Sequence, residues 1–367
     1  MAERTEVIVV GGGQSGLVAG YFLKKAGIPF LVLDEEPRLG EDWRRRWDSL
    51  ELFTIAQYCA LPGLRFPGRK NHFPGKDEMA DYIRSYAREF DLPVRLDTKV
   101  TSLERTDGGY RLETSKGVYE ADQVIIATGA YRLPRVPEMA RKLNGDVYQV
   151  HTGEYRNPSQ IPGQTVVVVG AANSGAQIAP ELTRTHRVLL SQGSHLPAFG
   201  RKFLGKGLHW WGDKFGLISK PLVGERDRLH KKTILVGPSL KKISRRYGVE
   251  LVGRTVDCEG DTLRFEDGRA FQPDAVVWAT GFRYDYSWVR VPVHDEDGTP
   301  VQERGVTSAP GLYVLGMQCQ YSYGSALVWW VKDDASYLVE RIQEFRRGGR
   351  ARHAATAGAP VRRGGGA

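Results

Sequence analysis

Two glycine-rich turns, each directly after a β-branched apolar run, constrain the fold of this chain most strongly. Residues 11–16 follow the run at 7–10, and residues 170–175 follow the run at 166–169. The runs predict buried parallel strands, and the segments after the glycines predict helices that open on the turns. A helix start binds pyrophosphate because its free N–H groups and positive dipole end face the anion. The repetition therefore predicts two dinucleotide-binding units.

The sequence around the two turns repeats as well. After each turn come a second strand, a polar hairpin at 107–109 or 266–268, and an apolar strand that ends in Ala-Thr-Gly at 127–129 or 279–281. One glycine turn alone is weak support, because such turns are common between strands and helices. The matched order of parts predicts an α/β chain with two Rossmann-like dinucleotide-binding domains.

The residues that end the two second strands distinguish the two cofactors. Asp34 follows the strand at 30–33, where an acid accepts hydrogen bonds from a ribose diol, and this suits the ADP half of FAD. The second unit ends in Ser191 and Gln192, with no acid, and Arg201 follows. Because an acid would repel a 2′-phosphate, its absence favours NADPH over NADH. Arg201 either approaches that phosphate or is an ordinary surface charge.

Length and cysteine usage limit the class of protein. A chain of 367 residues is long enough for two domains of ordinary size. Its longest apolar runs are strand-sized, and a strand begins near Glu6, so we expect neither a transmembrane segment nor a signal peptide. Cys59, Cys258 and Cys319 lack both C-x-x-C and metal-ligand spacing. We therefore expect reduced thiols, a cytoplasmic location and no metal site.

The formal net charge of +9 is concentrated at the end of the chain. Arginines at 346–363 contribute six of these charges, and no acid follows them. Residues 346–367 consist largely of Gly, Ala and Arg without apolar periodicity, and this composition predicts a disordered basic tail. The remaining charge suits a protein that holds two polyphosphate cofactors, and no nucleic-acid-binding motif is present. The oligomeric state is not predicted.

Together these motifs resemble those of the class B flavoprotein monooxygenases, especially the flavin-containing monooxygenases and the plant YUCCA indole-pyruvate monooxygenases. The likeness spans nearly all of the chain before the basic tail. A linker fingerprint of the family is similar to the set Leu143, Gly145, His151 and Tyr155, with leucine in place of an aromatic residue. The other landmarks lie at 11–16, 40–43, 57–62, 73–76, 170–175, 279–282 and 311–316.

The resemblance implies an NADPH domain inserted into a discontinuous FAD domain. Residues 1–160 and 283–345 would then form the two parts of the FAD domain, and residues 161–282 the NADPH domain. It also implies hydride transfer from NADPH to FAD, followed by addition of O2 as a flavin C4a-(hydro)peroxide. One oxygen atom would pass to a small organic substrate. S- or N-oxidation, Baeyer-Villiger oxidation and oxidative decarboxylation all stay open.

The candidate cofactor residues follow from the motifs and the resemblance. No single catalytic residue is identified, because the cofactors supply the difficult chemistry. For FAD the candidates are Gly11, Gly13, Gln14, Ser15, Gly16, Asp34, Glu35, Trp43, Gln57, Val100, Ala127, Thr128, Gly129, Gly316 and Ser325. For NADPH they are Gly170, Asn173, Ser174, Gly175, Ser191, Arg201 and Thr280.

Several interpretations stay open at this point. Gln57 either approaches the flavin or is satisfied within a turn. The arginines at 44–46 either meet cofactor phosphates or form a solvated face. The paired tryptophans at 210–211 and 329–330 suit core packing more than substrate contact. Two other functions share the architecture, namely a reductase of the thioredoxin-reductase kind, which normally carries a cysteine pair, and a non-catalytic flavin redox sensor.

Overall fold

The computed structural model describes residues 2–222 and 234–357. The helices in these ranges are α1 (Gln14–Lys25), α2 (Glu41–Arg44), α3 (Lys76–Glu89), α4 (Asn173–Leu182), α5 (Leu208–Lys214), α6 (Leu240–Tyr247) and α7 (Val331–Ala357). Short 3-10 helices span Ala56–Tyr58, Glu138–Lys142, Pro158–Gln160 and Tyr323–Ala326. The strands before the second glycine turn are β1 (Glu3–Val10), β2 (Phe30–Leu33), β3 (Val94–Arg95), β4 (Val100–Thr106), β5 (Gly109–Thr114), β6 (Gly117–Ile126), β7 (Leu133–Pro134), β8 (Tyr148–His151) and β9 (Thr165–Val169). The later strands are β10 (Arg187–Ser191), β11 (Ala198–Phe199), β12 (Lys202–Phe203), β13 (Lys206–Gly207), β14 (Leu235–Val236), β15 (Glu250–Val252), β16 (Thr255–Glu259), β17 (Thr262–Phe265), β18 (Ala270–Phe271), β19 (Ala275–Trp278), β20 (Phe282–Arg283), β21 (Gln302–Glu303), β22 (Val306–Thr307) and β23 (Leu312–Val314).

The first sheet is built around the strand that precedes the first glycine turn. Its order is β21-β22-β23-β6-β1-β2-β3, and β4 and β5 join through β6 as an antiparallel hairpin. The neighbours β2 and β6 both run parallel to β1. A run of β-branched residues suits this position because both of its faces are covered. Residues of α1, α3 and α7 cover one face, which confirms the predicted buried strand.

The second sheet repeats this design around the other glycine turn. Its order is β15-β10-β9-β19-β8, and every pairing is parallel. The predicted strand at 166–169 again lies at the centre, with α4 following it. Strand β8 is an edge strand of this sheet, whereas the sequence placed all residues up to 160 in the first unit. The pairing with β19 accounts for this difference, since the chain enters the second sheet before it reaches β9.

The chain returns to the first sheet after the second unit ends. Strand β23 pairs in parallel with β6, with Leu312 opposite Val124. The two-stranded pairing of β7 with β20 joins the outgoing and returning segments. This return brings Gly316 against Ser15 at the start of α1, where a side chain at Gly316 would overlap the serine hydroxyl. Two distant parts of the chain therefore border the same cleft.

The C-terminal helix is longer than the sequence predicts. A disordered tail is expected from residue 346, but α7 continues to Ala357. The segment continues an existing helix without a new nucleation step, and its alanines and arginines are strong helix formers that offset the cost of Gly348 and Gly349. The remaining predicted tail, residues 358–367, lies outside the residues that the structure describes.

Candidate functional site

The two glycine turns have the same backbone geometry. The first glycine of each turn, Gly11 or Gly170, has a positive φ of 108° or 106°, a conformation that favours glycine. A Cβ at Gly16 would overlap the carbonyl oxygen of Gly11, and a Cβ at Gly175 would overlap that of Gly170 in the same way. The last glycine of each motif therefore lets the helix pack directly on its own turn.

The two helices also begin in the same manner. Helix α1 has Gly13 at its N-cap with φ −72° and ψ −175°, and α4 has Ala172 there with φ −76° and ψ −169°. Neither start has a side-chain cap, and neither first turn contains an acid. Because no side chain caps these starts, their N–H groups can serve an anionic ligand.

One large cavity reaches both helix starts. Its volume is about 380 Å³, and its lining comes from the first turn, the end of β2, the end of β6 and the start of α4. Most of the predicted cofactor residues line it. These are Gly11, Gly13, Gln14, Ser15, Asp34, Glu35, Trp43, Val100, Ala127, Thr128, Gly129, Gly316, Asn173 and Ser174.

Three other predicted residues are not part of the cavity lining. Ser325 is buried, and its hydroxyl accepts hydrogen bonds from the amides of Tyr321 and Ser322 at 3.0 Å. The Thr280 hydroxyl donates to the carbonyl oxygen of Arg135. Gln57 is exposed on the 3-10 helix that follows Ile55, outside the cavity lining.

Arg201 contacts residues of the first unit rather than lining the cavity. Its Nη1 lies 2.7 Å from the Glu51 carboxylate, and its Nη2 donates to the carbonyl oxygen of Leu52 at 2.9 Å. The guanidinium carbon stands 3.7 Å from the ring centroid of Phe73. These contacts hold the guanidinium between residues 51–52 and Phe73, so they favour the interpretation of Arg201 as a structural charge.

Asp34 is fixed at the end of β2 on the cavity lining. Its Oδ1 accepts from the amide of Glu36 at 2.9 Å, and its Oδ2 accepts from the amide of Gly12. These backbone contacts fix the carboxylate beside the first turn. An acid in this place suits the ribose of a bound ADP group.

The strand register shows which residue takes the same place in the second unit. The amide of the first glycine in each turn donates to the last residue of the second strand, at 2.8 Å to Leu33 and at 3.0 Å to Ser191. The next residue is Asp34 in the first unit and Gln192 in the second. Gln192 therefore corresponds to Asp34, and Ser191 lies one residue earlier.

The hydroxyl of Ser191 is used inside the second unit. Its Oγ donates to the carbonyl oxygen of Gly253 at 2.9 Å and accepts from the amide of Thr255 at 2.9 Å. This residue is buried, in contrast to the exposed segment that follows it. The contacts make Ser191 a link between β10 and the turn after β15.

The arginine run at 44–46 divides between two roles. Arg45 pairs with Glu36 at 2.7 Å. Arg46 lines the cavity, where its guanidinium carbon lies 4.9 Å from the ring centroid of Tyr131 and 5.2 Å from that of Phe282. Burial lowers the pKa of Arg46, although it stays charged near neutral pH. The charge run alone could not separate these positions, since only the fold shows which arginine faces inward.

An aromatic wall closes one side of the cavity. Phe53 lines the cavity and stacks on His209, with ring centroids 5.6 Å apart. Burial lowers the pKa of His209 to about 4, so its ring is neutral at pH 7. Behind it, Trp330 is buried and stacks on Tyr58 at 5.0 Å. This uncharged wall suits an apolar part of a ligand.

The linker fingerprint lies where the chain crosses between the two sheets. His151 Nδ1 accepts from the amide of Gly153 at 3.1 Å, an arrangement that leaves Nε2 to donate to the carbonyl oxygen of Gly281 at 2.9 Å. Its ring packs edge-on against Phe282, and burial lowers the pKa of His151. The neutral imidazole of His151 therefore links β8 to the segment after β19 by a hydrogen bond.

The three cysteines are free thiols in separate places. Cys59 and Cys258 are buried, and Cys319 is partly exposed. Burial raises the pKa of Cys59 to about 12, which suppresses its thiolate form. No helix within the described ranges is long and apolar enough to cross a lipid bilayer.

Comparison with known proteins identifies the relatives of this architecture. A family model described as pyridine nucleotide-disulphide oxidoreductase matches residues 8–196. The chain is 42% identical to an uncharacterized CzcO-like oxidoreductase of Geobacillus kaustophilus, over 93% of this chain and 99% of the relative. It is 27% identical to a probable indole-3-pyruvate monooxygenase, YUCCA3, of Arabidopsis thaliana, over 94% of this chain and 90% of that protein.

A solved structure of similar extent matches the fold. The flavin-containing monooxygenase from Stenotrophomonas maltophilia superimposes with a TM-score of 0.79 at 26% sequence identity. The match covers 94% of this chain and 99% of that one. The similarity therefore extends over both sheets and the return of the chain to the first.

Proposed function

The chain belongs to the pyridine nucleotide-disulphide oxidoreductase family, and we propose that it transfers one oxygen atom of O2 to a small organic substrate. The resemblance to class B flavoprotein monooxygenases, the two-domain α/β fold and the cofactors FAD and NADPH are confirmed. The observation that carries the proposal is that one cavity reaches both uncapped helix starts. Such a cavity brings an electron donor and an acceptor together.

The residues of the cavity fit both cofactors. A Cβ at Gly13 would meet no atom within 4 Å, so the space above this turn is open for a pyrophosphate. Asp34 would bind the ADP ribose, and Val100 would border the adenine. The start of α4, with Asn173 and Ser174, would hold the nicotinamide cofactor. These assignments, and a division of the chain in which β8 belongs to the NADPH unit, are part of the proposal.

The residues of the chain would bind and orient the two cofactors and exclude water from the reacting centre. Bound FAD supplies hydride acceptance and oxygen activation. The α1 start would hold the pyrophosphate and Asp34 the ribose of the cofactor, and Arg46 places a positive charge on the cavity lining. The wall around Phe53 is uncharged, so it keeps water from the reacting centre and admits an apolar substrate. No side chain is required as a nucleophile.

The cysteine positions favour this function over disulfide reduction. A reductase of that kind needs two neighbouring cysteines that exchange a disulfide, whereas the three thiols here are free and two of them are buried. The same free thiols support the proposed location in the cytoplasm.

We propose further that Arg254 selects NADPH over NADH. Gln192 occupies the place of the diol-binding acid, so a 2′-phosphate would meet no carboxylate on that residue. Arg254 lies in the turn between β15 and β16, and its Nη2 donates to the carbonyl oxygen of Gly193 at 2.5 Å. Because that partner is neutral, the guanidinium keeps its charge for a phosphate beside Gln192.

Arg254→Gln is expected to weaken binding of adenosine 2′,5′-bisphosphate and NADP+ by about 10- to 100-fold. The reason is the loss of a charge-assisted hydrogen bond, worth about 1.5–3 kcal/mol. NADH and 5′-ADP should bind as before, and calorimetry with each nucleotide measures the difference. Arg264→Gln, at an exposed arginine that pairs with Glu259, is the matched control. Equal losses of affinity for NADH and NADP+ would show that Arg254 does not select the 2′-phosphate.

Product analysis under turnover tests the proposed oxygen transfer. The FAD-loaded protein is supplied with NADPH, O2 and a panel of sulfides, amines, ketones and α-keto acids, and oxygenated product and hydrogen peroxide are both measured. At least one substrate class should yield product in proportion to the NADPH consumed. If every class gives only hydrogen peroxide, the protein is a flavin reductase or oxidase, and if neither nicotinamide reduces the flavin, the redox-sensor function is favoured.

A further inference from the structure

A strip of exposed apolar side chains runs over the surface between β12 and the end of α5. Phe203 and Leu204 form the tip of the β12–β13 hairpin and are 61% and 75% exposed, and Phe215 and Leu217 are 67% and 63% exposed. Trp211 connects them, with ring centroids 6.0 Å from Phe203 and 6.2 Å from Phe215. We call these five residues the apolar strip. Contiguous exposure of this kind marks an interaction surface rather than scattered surface residues.

The exposed charges that neighbour the apolar strip along the chain are mostly positive. Lysines at 202, 206, 214 and 220 are exposed beside it. Asp213 is the only acid between residues 199 and 222. Its carboxylate already accepts hydrogen bonds from Trp330 Nε1 at 2.9 Å and from the Tyr58 hydroxyl at 3.2 Å. The surface therefore combines apolar tips with positive charge, the pattern of segments that lie in a membrane interface.

The same segment supports the aromatic wall of the cavity. His209, in α5, stacks on Phe53, which lines the cavity. Gly207, where β13 ends, packs close to Ile55, since a Cβ there would lie 3.4 Å from the isoleucine side chain. The β12–β13 hairpin and α5 therefore carry the apolar strip on their outer side and border the proposed substrate space on their inner side.

We propose that the apolar strip binds the surface of an anionic lipid bilayer, with Phe203 and Leu204 inserted among the acyl chains and the lysines on the headgroups. A second copy of this chain would bring the same positive charges against each other, and like charges across an interface oppose association. An anionic bilayer complements both the apolar side chains of the strip and the lysines beside it. Binding to the bilayer would also place the cavity wall beside apolar compounds dissolved in the membrane. The inference that these compounds are substrates rests on the proposed function.

Vesicle flotation with the FAD-loaded full chain tests the proposal without any turnover. The protein should float with vesicles of phosphatidylcholine and phosphatidylglycerol, much less with phosphatidylcholine alone, and less as salt is raised. The double variant F203S/L204S should bind at least about tenfold more weakly, because burial of one such side chain contributes about 1.5–3 kcal/mol. Both residues are exposed, so flavin content and melting temperature should be unchanged.

The double variant V256S/V301S is the matched control, because both valines are exposed at sites away from the apolar strip. It should float as the unmodified protein does. The proposal is overturned if the unmodified protein binds neither vesicle, or if F203S/L204S binds anionic vesicles as well as the control. It is also overturned if light scattering shows a dimer that F203S/L204S dissociates while no vesicle binding is observed.

Discussion

Gly13→Val should yield a folded protein that retains no FAD. A Cβ at Gly13 meets no atom within 4 Å, and the residue has an extended backbone that valine adopts readily, so folding is not disturbed. The branched side chain would instead occupy the space where a pyrophosphate approaches the start of α1. Loss of two charge-assisted hydrogen bonds of about 1.5–3 kcal/mol each lowers affinity by roughly 100-fold or more. Flavin absorbance after purification and after reconstitution measures the effect.

Gly145→Val separates this effect from a general cost of substitution. Gly145 also has open space around its Cβ and has no positive φ, but it does not line the cavity. This control variant should stay fully loaded with flavin. Circular dichroism and the melting temperature of flavin-free samples should show that Gly13→Val is folded. If the folded Gly13→Val protein retained a full complement of FAD, the first turn would not be part of the cofactor site.

Ala172→Val should give a yellow protein that NADPH no longer reduces. Ala172 has the same N-cap geometry at α4 that Gly13 has at α1, so the added methyl groups would enter the phosphate space of the second unit. FAD binding involves the other turn and is expected to stay intact. The dissociation constant for NADP+ should rise by roughly 100-fold, by the same loss of helix-start hydrogen bonds. Calorimetry and anaerobic flavin bleaching by NADPH measure the two effects.

The matched variant here is Ala172→Gly, which removes the methyl group that the second turn carries. It is expected to bind NADP+ at least as tightly as the unmodified protein, because the backbone becomes more accessible to phosphate. Dithionite should reduce the flavin of both variants, which shows that the acceptor is intact. Normal reduction of Ala172→Val by NADPH would mean that the nicotinamide cofactor binds elsewhere.

Local sequence rules predicted the parts of this fold that depend on neighbouring residues. The β-branched runs before the turns are buried central strands, as expected for residues covered on both faces. The segment 30–33 is a strand with the predicted bounds, and Asp34 lies at its end on the cavity lining. These features follow from strand length, the special conformation of glycine and helix-start chemistry, all of which are local.

Features that depend on register and distant contacts could not be predicted in the same way. Ser191 is the last residue of its strand, whereas the place of the diol-binding acid belongs to Gln192, a shift of one residue that only the pairing shows. Arg201 is bound to Glu51, far away in the sequence. Arg46 lines the cavity, whereas Arg45 does not and pairs with Glu36, a distinction that depends on where the chain turns after α2.

Anaerobic mixing of the FAD-loaded protein with NADPH is the most direct test of the central claim, that one cavity brings two dinucleotides into contact. Stopped-flow absorbance should show bleaching of the oxidised flavin at a rate that saturates with NADPH concentration. Ala172→Val should lose this bleaching, whereas the Gly145→Val control should keep it. A protein that stays colourless after reconstitution with FAD, or that binds FAD but is reduced by neither NADPH nor NADH, would contradict the account.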